Sequence, residues 1–596
     1  MKLSDYIVEF LHQQGVRHLF AITGGASIHM IHSAGESNTV TYICPHHEQG
    51  AAMAADAYAR VTGKIGAAAA TSGPGATNLI TGICCSWFDS VPVLYLTGQV
   101  ATFRFRDTTG VRQMGFQETQ IVEMVTPITK YAVQVTDPEQ IRYELEKAVW
   151  HAYSGRPGPV VVDIPDDLQR AEIDPDKLKG FTPPKDMSKP DESGLEKQVQ
   201  QLVAMLEKAE RPVLVPGWGV RLSGVIDEVK TIARTLQIPI CPSWAMRDAF
   251  DDDDPLLVGC FGTHGTRYGN FAVQNADFIL SIGARLSTRE TGSPTTSWAR
   301  GAATVIVDID PTELAKFPHF GKPIDLPIPA DARLFVEKLM PHLEEIRFPA
   351  RDAWMARIRD WKTRYPICLP EFFSEETVNP YVFVKRLSQL ASHDALIFSD
   401  TGCALAWMMQ AFEFHGTQRF FHAFNNTPMG YALPAAIGGA FAESGRQNIC
   451  LAGDGSAMLN IQELATVRRH DLPVKMFLIN NNGFSMVQQT QEQWLQGKYY
   501  ASSVEGGLGF PDFPALSESF GIPAVTLDRN ADVEAVIADV LKRPGPVVCD
   551  VRVPQAARVA PQCKYGRPIE DSEPLLSREE FLANMIVPPM KASLDD

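Results

Sequence analysis

With 596 residues the chain exceeds what one hydrophobic core supports, so about two to four domains are expected. A make-up of 45% hydrophobic and 21% charged residues, with no low-complexity tract, excludes a disordered or fibrous protein. The net charge of -16 without any Lys/Arg block argues against a nucleic-acid partner, and no apolar run reaches the roughly 18 residues of a membrane span.

In chain order, the opening MKLSDYIVEFLHQQGV reads as an amphipathic helix bearing acids, without the apolar heart of a signal peptide. Ten cysteines are scattered, Cys84 and Cys85 adjacent, with no CxxC or Cys/His ligand spacing; this fits reduced core thiols in a soluble, cytoplasmic protein. Short apolar, β-branched runs then alternate with helical patterns: VPVLYLTG (91–98), PVVVDIP (159–165), RPVLVPG (211–217), ADFILSIGA (276–284), ATVIVDIDP (303–311), DALIFSD (394–400), ICLAGDG (449–455), VKMFLIN (474–480) and PVVCDVRV (546–553). Runs apolar on both faces suit parallel strands between helix layers, so the class is α/β with several doubly wound sheets. Polar, proline-rich stretches at 172–196 and 345–378, the second holding a helix between prolines, divide the chain into 1–172, 195–345 and 376–555, with a tail over 556–596. No internal repeat is visible in the residues.

The densest signal is LAGDGSAMLNIQELATVRRHDLPVKMFLINNNG (451–483). Parallel sheets collect ligands at the carboxyl ends of their strands. Asp454 stands at one such end, ELATVRRH supplies a crossover helix, and Asn481 stands at the neighbouring end. A carboxylate, an amide oxygen and a backbone carbonyl are the hard ligands that Mg²⁺ takes together with phosphate and water. Gly453 and Gly455 admit a phosphate to the backbone, and a helix starting near Ser456 offers it free N–H groups. Either half alone is equally an ordinary Asp-Gly or Asn-Gly turn; the pair at this spacing argues for a site.

GDGS, a spacer and NN make this chain resemble the thiamine diphosphate enzymes over nearly its whole length, above all the large catalytic subunit of acetolactate synthase and its carboligase relatives. The resemblance implies three domains, binding pyrimidine, central and diphosphate/Mg²⁺ in that order, with Asp454, Asn481 and the Gly483 carbonyl on the metal. Glu48, in PHHEQGAAM, reads by itself as an acid at a helix start, favoured there by the macrodipole. In the family the matching Glu exchanges a proton with the cofactor's aminopyrimidine, and burial raises such a carboxyl's pKa. The cofactor then serves as electron sink while a 2-oxo acid loses CO₂.

The same resemblance places Met429, in NNTPMGYALPAAIGGAF, beneath the bend of the cofactor, with close backbone approach at Gly430; read alone, Met429 is a core gap-filler. It sets Gln117 and Gly25 near the reacting carbon, and Gly402, Gly453, Gly455, Ser456 and Met486 around the cofactor. Glu48 comes from one subunit and the metal site from another, which implies a homodimer or homotetramer. FGTHGTRYGN (261–270), GARLSTRETG (283–292) and VIVDIDP (305–311) are similar to FAD-binding segments of this line. They imply a structural FAD near His264, Gly283, Arg285, Arg289 and Asp308, with Arg156 at another flavin-side position. Arg285 and Arg289 are also candidates for an anionic substrate.

Three positions depart from the family pattern: Thr490 stands where acetolactate synthases carry a pocket-shaping Trp, Cys403 and Ala404 where Gln-His is usual near the diphosphate, and Asp166 where a Lys follows the strand. The tail, with PxxKYGRPIEDxEPLL, is unlike the usual ending; it is expected to form a lid or arm, and is similar to relatives that add the two-carbon unit to a nucleotide-linked ketosugar. The leading expectation is a carboligase that decarboxylates pyruvate and joins the two-carbon unit to a second carbonyl, giving 2-acetolactate when that carbonyl is pyruvate. Alternatives are a ketosugar or other aldehyde or ketone acceptor, a simple 2-oxo acid decarboxylase with His46 or His47 as proton donor, and a non-enzymatic scaffold.

Overall fold

The computed structural model describes residues 1–107, 109–184 and 192–594. The middle of the proline-rich linker, 185–191, lies outside them. Three parallel sheets carry the chain. The first is built from β1 (His18–Ala21), β2 (Thr41–Ile43), β3 (Gly66–Ala70), β4 (Val93–Gln99), β5 (Tyr131–Gln134) and β6 (Val160–Pro165), in the order β2-β1-β3-β4-β6-β5. The middle sheet holds β7 (Pro212–Pro216), β8 (Phe278–Ile282), β9 (Ala303–Asp308) and β10 (Leu326–Pro329), in the order β10-β9-β8-β7. The third holds β11 (Leu396–Ser399), β12 (Arg419–Phe421), β13 (Asn448–Gly453), β14 (Val474–Asn480), β15 (Ala524–Leu527) and β16 (Val547–Arg552), in the order β12-β11-β13-β14-β16-β15. The first and third sheets therefore share one strand order, a duplication of topology that their residues do not reveal.

Each apolar run named from the sequence overlaps one of these strands, and the central ones are buried at every position, as in β4, β6 and β8. Burying one such Val, Ile or Leu side chain contributes about 1.5–3 kcal/mol, so these central strands anchor their layers. The opening helix runs Leu3–Gln13, with its apolar face on the first sheet's core.

The first and third sheets meet through two small-residue helices, Glu48–Thr62 and Ala432–Ala442. A Cβ on Gly438 would lie 2.1 Å from the Ala54 carbonyl oxygen, so the approach tolerates only glycine there. The same seam buries a charged network. Arg60 bonds Asp56 at 2.7 Å and Asp89 at 3.0 Å, Tyr431 donates to Asp56 at 2.7 Å, and Asp89 accepts the Phe424 and Asn425 amides. With every partner satisfied, the network fixes the seam; removing one partner of such a buried pair costs about 3–5 kcal/mol.

The tail runs as an arm along the middle block. Its hairpin of β17 (Gln562–Cys563) and β18 (Ser572–Glu573) and its helix Arg578–Asn584 send Cys563, Ile569 and Phe581 into the middle core. Arg267 donates to the Ser572 and Pro574 carbonyls, Asn270 to that of Ile569, and buried Glu570 pairs with Arg300 at 2.7 Å. The helix Asp352–Arg364, between the middle and third sheets in sequence, also packs on the middle core through Trp354, Ile358 and Trp361.

Candidate active site

A cavity of about 340 Å³ opens at the carboxyl edge of the third sheet. Strands β13 and β14 pair in parallel register from Asn448↔Val474 to Gly453↔Ile479, which brings their ends together. Asp454 follows β13 as the first residue of the short helix Asp454–Ala457, two positions earlier than the sequence suggested. It is 2% exposed, and one carboxylate oxygen accepts the backbone N–H groups of Asn481 and Gly483, both at 3.1 Å. Burial pushes its pKa up to about 6 despite these donors, the condition of a carboxylate that gains from a nearby cation. Asn481 commits its amide nitrogen to Ser485, leaving the oxygen for a ligand.

Gly402, Met429, Gly453, Asp454, Gly455, Ser456, Asn481, Gly483 and Met486 all line this cavity. The glycines fit an anion cradle in two ways. A Cβ on Gly402 or Gly453 would meet nothing within 4 Å, so the backbone there borders open space, whereas one on Gly455 would lie 2.0 Å from the Phe484 ring. Gly402 also has φ +83°, which an L side chain rarely adopts, and it caps the helix Cys403–Ala411. Hard oxygen donors beside two helix starts suit a divalent cation and the diphosphate it tethers. Gly430, at φ +86°, lies just behind Met429; its N–H donates to Asp400 at 2.9 Å and its carbonyl accepts from Asn460.

Glu48, Gln117 and Gly25 lie outside this wall and gather at the carboxyl edge of the first sheet instead. The hub is the loop TSGPG after β3. Thr71 accepts the Ala26 N–H beside Gly25, and a Cβ on Gly73 would touch Gln117 at 3.1 Å. Glu48 starts its helix, half-buried, with one oxygen held by Asn78 at 2.9 Å and the other 3.2 Å from where a Gly75 Cβ would be. Gln117 sits at φ +63°, a strained conformation for a non-glycine residue. Large apolar side chains stand exposed around this edge, including Phe116 at 83% and Ile28 at 54%.

A second cavity, about 450 Å³, lies at the carboxyl edge of the middle sheet and is lined by Arg156, Gly283, Arg285, Arg289 and Asp308. His264 borders the first cavity instead, and Trp244 and Arg289 line both, so the two adjoin at these side chains. Arg156 pairs with Asp310 and Glu313, both at 3.0 Å, and Arg285 reaches Glu313 and Asn425. Arg289 lies over the Trp244 ring, 4.9 Å from its centroid, and burial lowers its pKa. Two buried ring nitrogens at these cavities lack a partner, Trp218 Nε1 and His264 Nε2, and burial pushes the His264 pKa down to about 3. Unpartnered polar atoms beside two adjoining cavities fit a large polar cofactor.

Cys403 and Ala404 line the first cavity, so a thiol and a methyl stand there in place of the amide and imidazole of the family pattern. Asp166 has one buried oxygen without a partner. Thr490 lies a turn beyond the cavity wall on the helix Ser485–Leu495. Sequence reasoning missed Asp400, which holds Gly430, and Glu463, which accepts the His46 and His47 amides just before Glu48. Asp400 closes the run DALIFSD and was findable as a strand-end acid; Glu463 sits within a helical pattern and gives no local signal. Among the described residues, no helix is long and apolar enough to cross a membrane.

Three family models match successive stretches of the chain. "Thiamine pyrophosphate enzyme, N-terminal TPP binding domain" matches residues 1–124, the central domain 199–339, and the C-terminal TPP binding domain 400–551. The chain is 35% identical to the acetolactate synthase large subunit of Parasynechococcus marenigrum, over 94% of this chain and 89% of that one. It is 35% identical to the probable chloroplastic acetolactate synthase 2 of Oryza sativa subsp. japonica, over 96% and 86%, and 32% identical to the acetolactate synthase of Arthrospira platensis, over 95% and 96%.

Proposed function

The chain belongs to the thiamine pyrophosphate enzymes of the acetolactate synthase type, and from that premise we propose that pyruvate is its donor and 2-acetolactate its product when a second pyruvate accepts the two-carbon unit. The class of reaction is thiamine diphosphate-dependent carboligation. The observation that carries the reading is the meeting of nine motif residues, buried Asp454 among them, around one cavity.

On this reading Asp454, Asn481 and the Gly483 carbonyl hold Mg²⁺, and the backbone at Gly402, Gly455 and Ser456 cradles the diphosphate. Met429 supports the bent cofactor. The bound cofactor supplies an electron sink for the carbon that loses CO₂. Glu48, held by Asn78, exchanges a proton with the aminopyrimidine. Gln117 and Gly25 border the reacting carbon, and Arg289, which has no ion pair among the described residues, takes the carboxylate of a 2-oxo acid. The middle cavity takes FAD as a structural group, with Arg156, Gly283, Arg285 and Asp308 on its wall and His264 on the neighbouring one.

Glu48 and Asp454 border different spaces in one chain, and exposed Phe116 and Ile28 flank the Glu48 edge. A second copy brings its metal cavity against that edge, so each site is shared across a homodimer, alone or within a tetramer. A second reading, with a larger aldehyde, ketone or ketosugar as acceptor, is favoured by Thr490, whose small side chain leaves the volume a Trp would fill. Pure protein with pyruvate, Mg²⁺ and thiamine diphosphate is expected to release CO₂ and form 2-acetolactate, identified by mass. Acetaldehyde as sole product would defeat the carboligase assignment.

A further inference from the structure

The helix Ser485–Leu495 begins in the wall of the first cavity and ends at the surface. Val487, Thr490 and Trp494 are spaced three and four apart and so share one face. Val487 lines the cavity and is 46% exposed, and Trp494 is 60% exposed. Thr490 turns its hydroxyl onto the Met486 carbonyl at 3.1 Å, leaving its methyl to the stripe. The remaining faces are occupied. Gln488 bonds the Ser502 carbonyl, Gln489 makes two hydrogen bonds with the Val559 backbone, and Glu492 pairs with Arg558 at 2.6 Å. The stripe is thus an apolar track leading out of the cavity, about 10 Å long from Val487 to Trp494 at 1.5 Å per residue.

At its outer end the arm contributes Tyr565, 69% exposed, edge-on to Trp494 with centroids 5.6 Å apart and planes at 85°. An edge-on pair leaves a ring face open for a third ring. Of the cations near it, Lys564 pairs with Glu573 at 2.8 Å and Arg558 with Glu492 at 2.6 Å. We propose that this track is an outer acceptor subsite, taking a carbonyl compound that carries a flat ring about 10 Å beyond its carbonyl, with the ring against Trp494 and Tyr565. The subsite rests on the carboligase reading. In the step it serves, the pyruvate carboxylate leaves as CO₂, the acyl carbon bonds to the acceptor's carbonyl carbon, and one proton ends on that carbonyl's oxygen.

The test uses the full-length holoenzyme, pyruvate as donor, and methyl ketones whose chains of increasing length end in a phenyl ring, a cyclohexyl ring or a plain alkyl group of equal reach. The expected result is a ring-to-alkyl ratio of kcat/KM that peaks near 10 Å of reach at roughly fivefold, carried by KM rather than kcat. Trp494→Ala and Tyr565→Ala should bring that ratio to about one, and Trp494→Phe should keep most of it. Phenyl ahead of cyclohexyl is expected of a flat ring held between Trp494 and Tyr565, and cyclohexyl ahead of phenyl overturns the proposal. A flat ratio in the wild type, an unchanged ratio in Trp494→Ala, or dissociation of the oligomer by Trp494→Ala, which would make the stripe a subunit contact, overturns the subsite. Binding read without turnover, as fluorescence lost from the wild type but not from Trp494→Phe on adding the phenyl ketone, keeps the test valid if no product forms. Absent quenching sinks the subsite alone, whereas quenching without any carbon–carbon product sinks the carboligase reading.

Discussion

Glu463 offers the sharpest check on the seam that sets Glu48 in place. It is fully buried between the first and third sheets. One oxygen accepts the His46 and His47 amides at 2.9 and 3.1 Å, and the other accepts the Thr466 hydroxyl at 2.8 Å, with no cation among its bonds. Burial pushes its pKa from 4.5 up to about 7. The folded carboxyl therefore keeps its proton to about pH 7, while the unfolded chain releases it near 4.5. Its contribution is complete below pH 4.5 and is lost as pH rises through 7. At about 1.4 kcal/mol per pKa unit this comes to roughly 3 kcal/mol. Glu463→Gln is neutral throughout and retains an oxygen for the two amides. The variant should match the wild type near pH 4.5 and exceed it by about 3 kcal/mol at pH 8, read from urea unfolding at both pH values. Parallel behaviour of the two proteins across that range would refute the reasoning, because the carboxyl would then be ionised in the fold without cost.

Glu48→Gln is expected to abolish turnover, measured as CO₂ release, while calorimetry finds the fold and most thiamine diphosphate affinity intact; near-normal activity would remove Glu48 from the proton path. Gly455→Ala should weaken cofactor binding by at least tenfold in the same calorimeter, since its Cβ would sit 2.0 Å from the Phe484 ring, and Phe484→Ala in the same chain should recover part of the loss.

The fold was legible where strands are central and β-branched. Val160–Pro165 and Val474–Asn480 announce themselves because both of their faces are buried. β3 does not, because its GAAAA carries no β-branched residue; at its start the packed helix leaves no room even for a Cβ, which on Gly66 would lie 2.1 Å from the Ala55 carbonyl oxygen. The edge strands β2 and β12 are three residues long and too short for any periodicity. The metal-side motif was legible because its residues lie within one β-α-β crossover, close in sequence. The hold of Glu463 on the backbone before Glu48 was not, since it spans more than 400 positions and arises only when the two sheets dock. The stripe from Val487 to Trp494 was likewise hidden, because its partner Tyr565 arrives from the far end of the chain.

That Glu48 and Asp454 border separate spaces has a genetic corollary. If each working centre borrows its acid from one polypeptide and its metal from another, two dead alleles, one altered at each position, complement on mixing. Half of randomly reassorted pairs are hybrids, and every hybrid unites the intact acid of one parent with the intact metal ligand of the other at one of its two centres. About a quarter of the wild-type rate returns from parents that have none, whereas a self-contained polypeptide would return nothing.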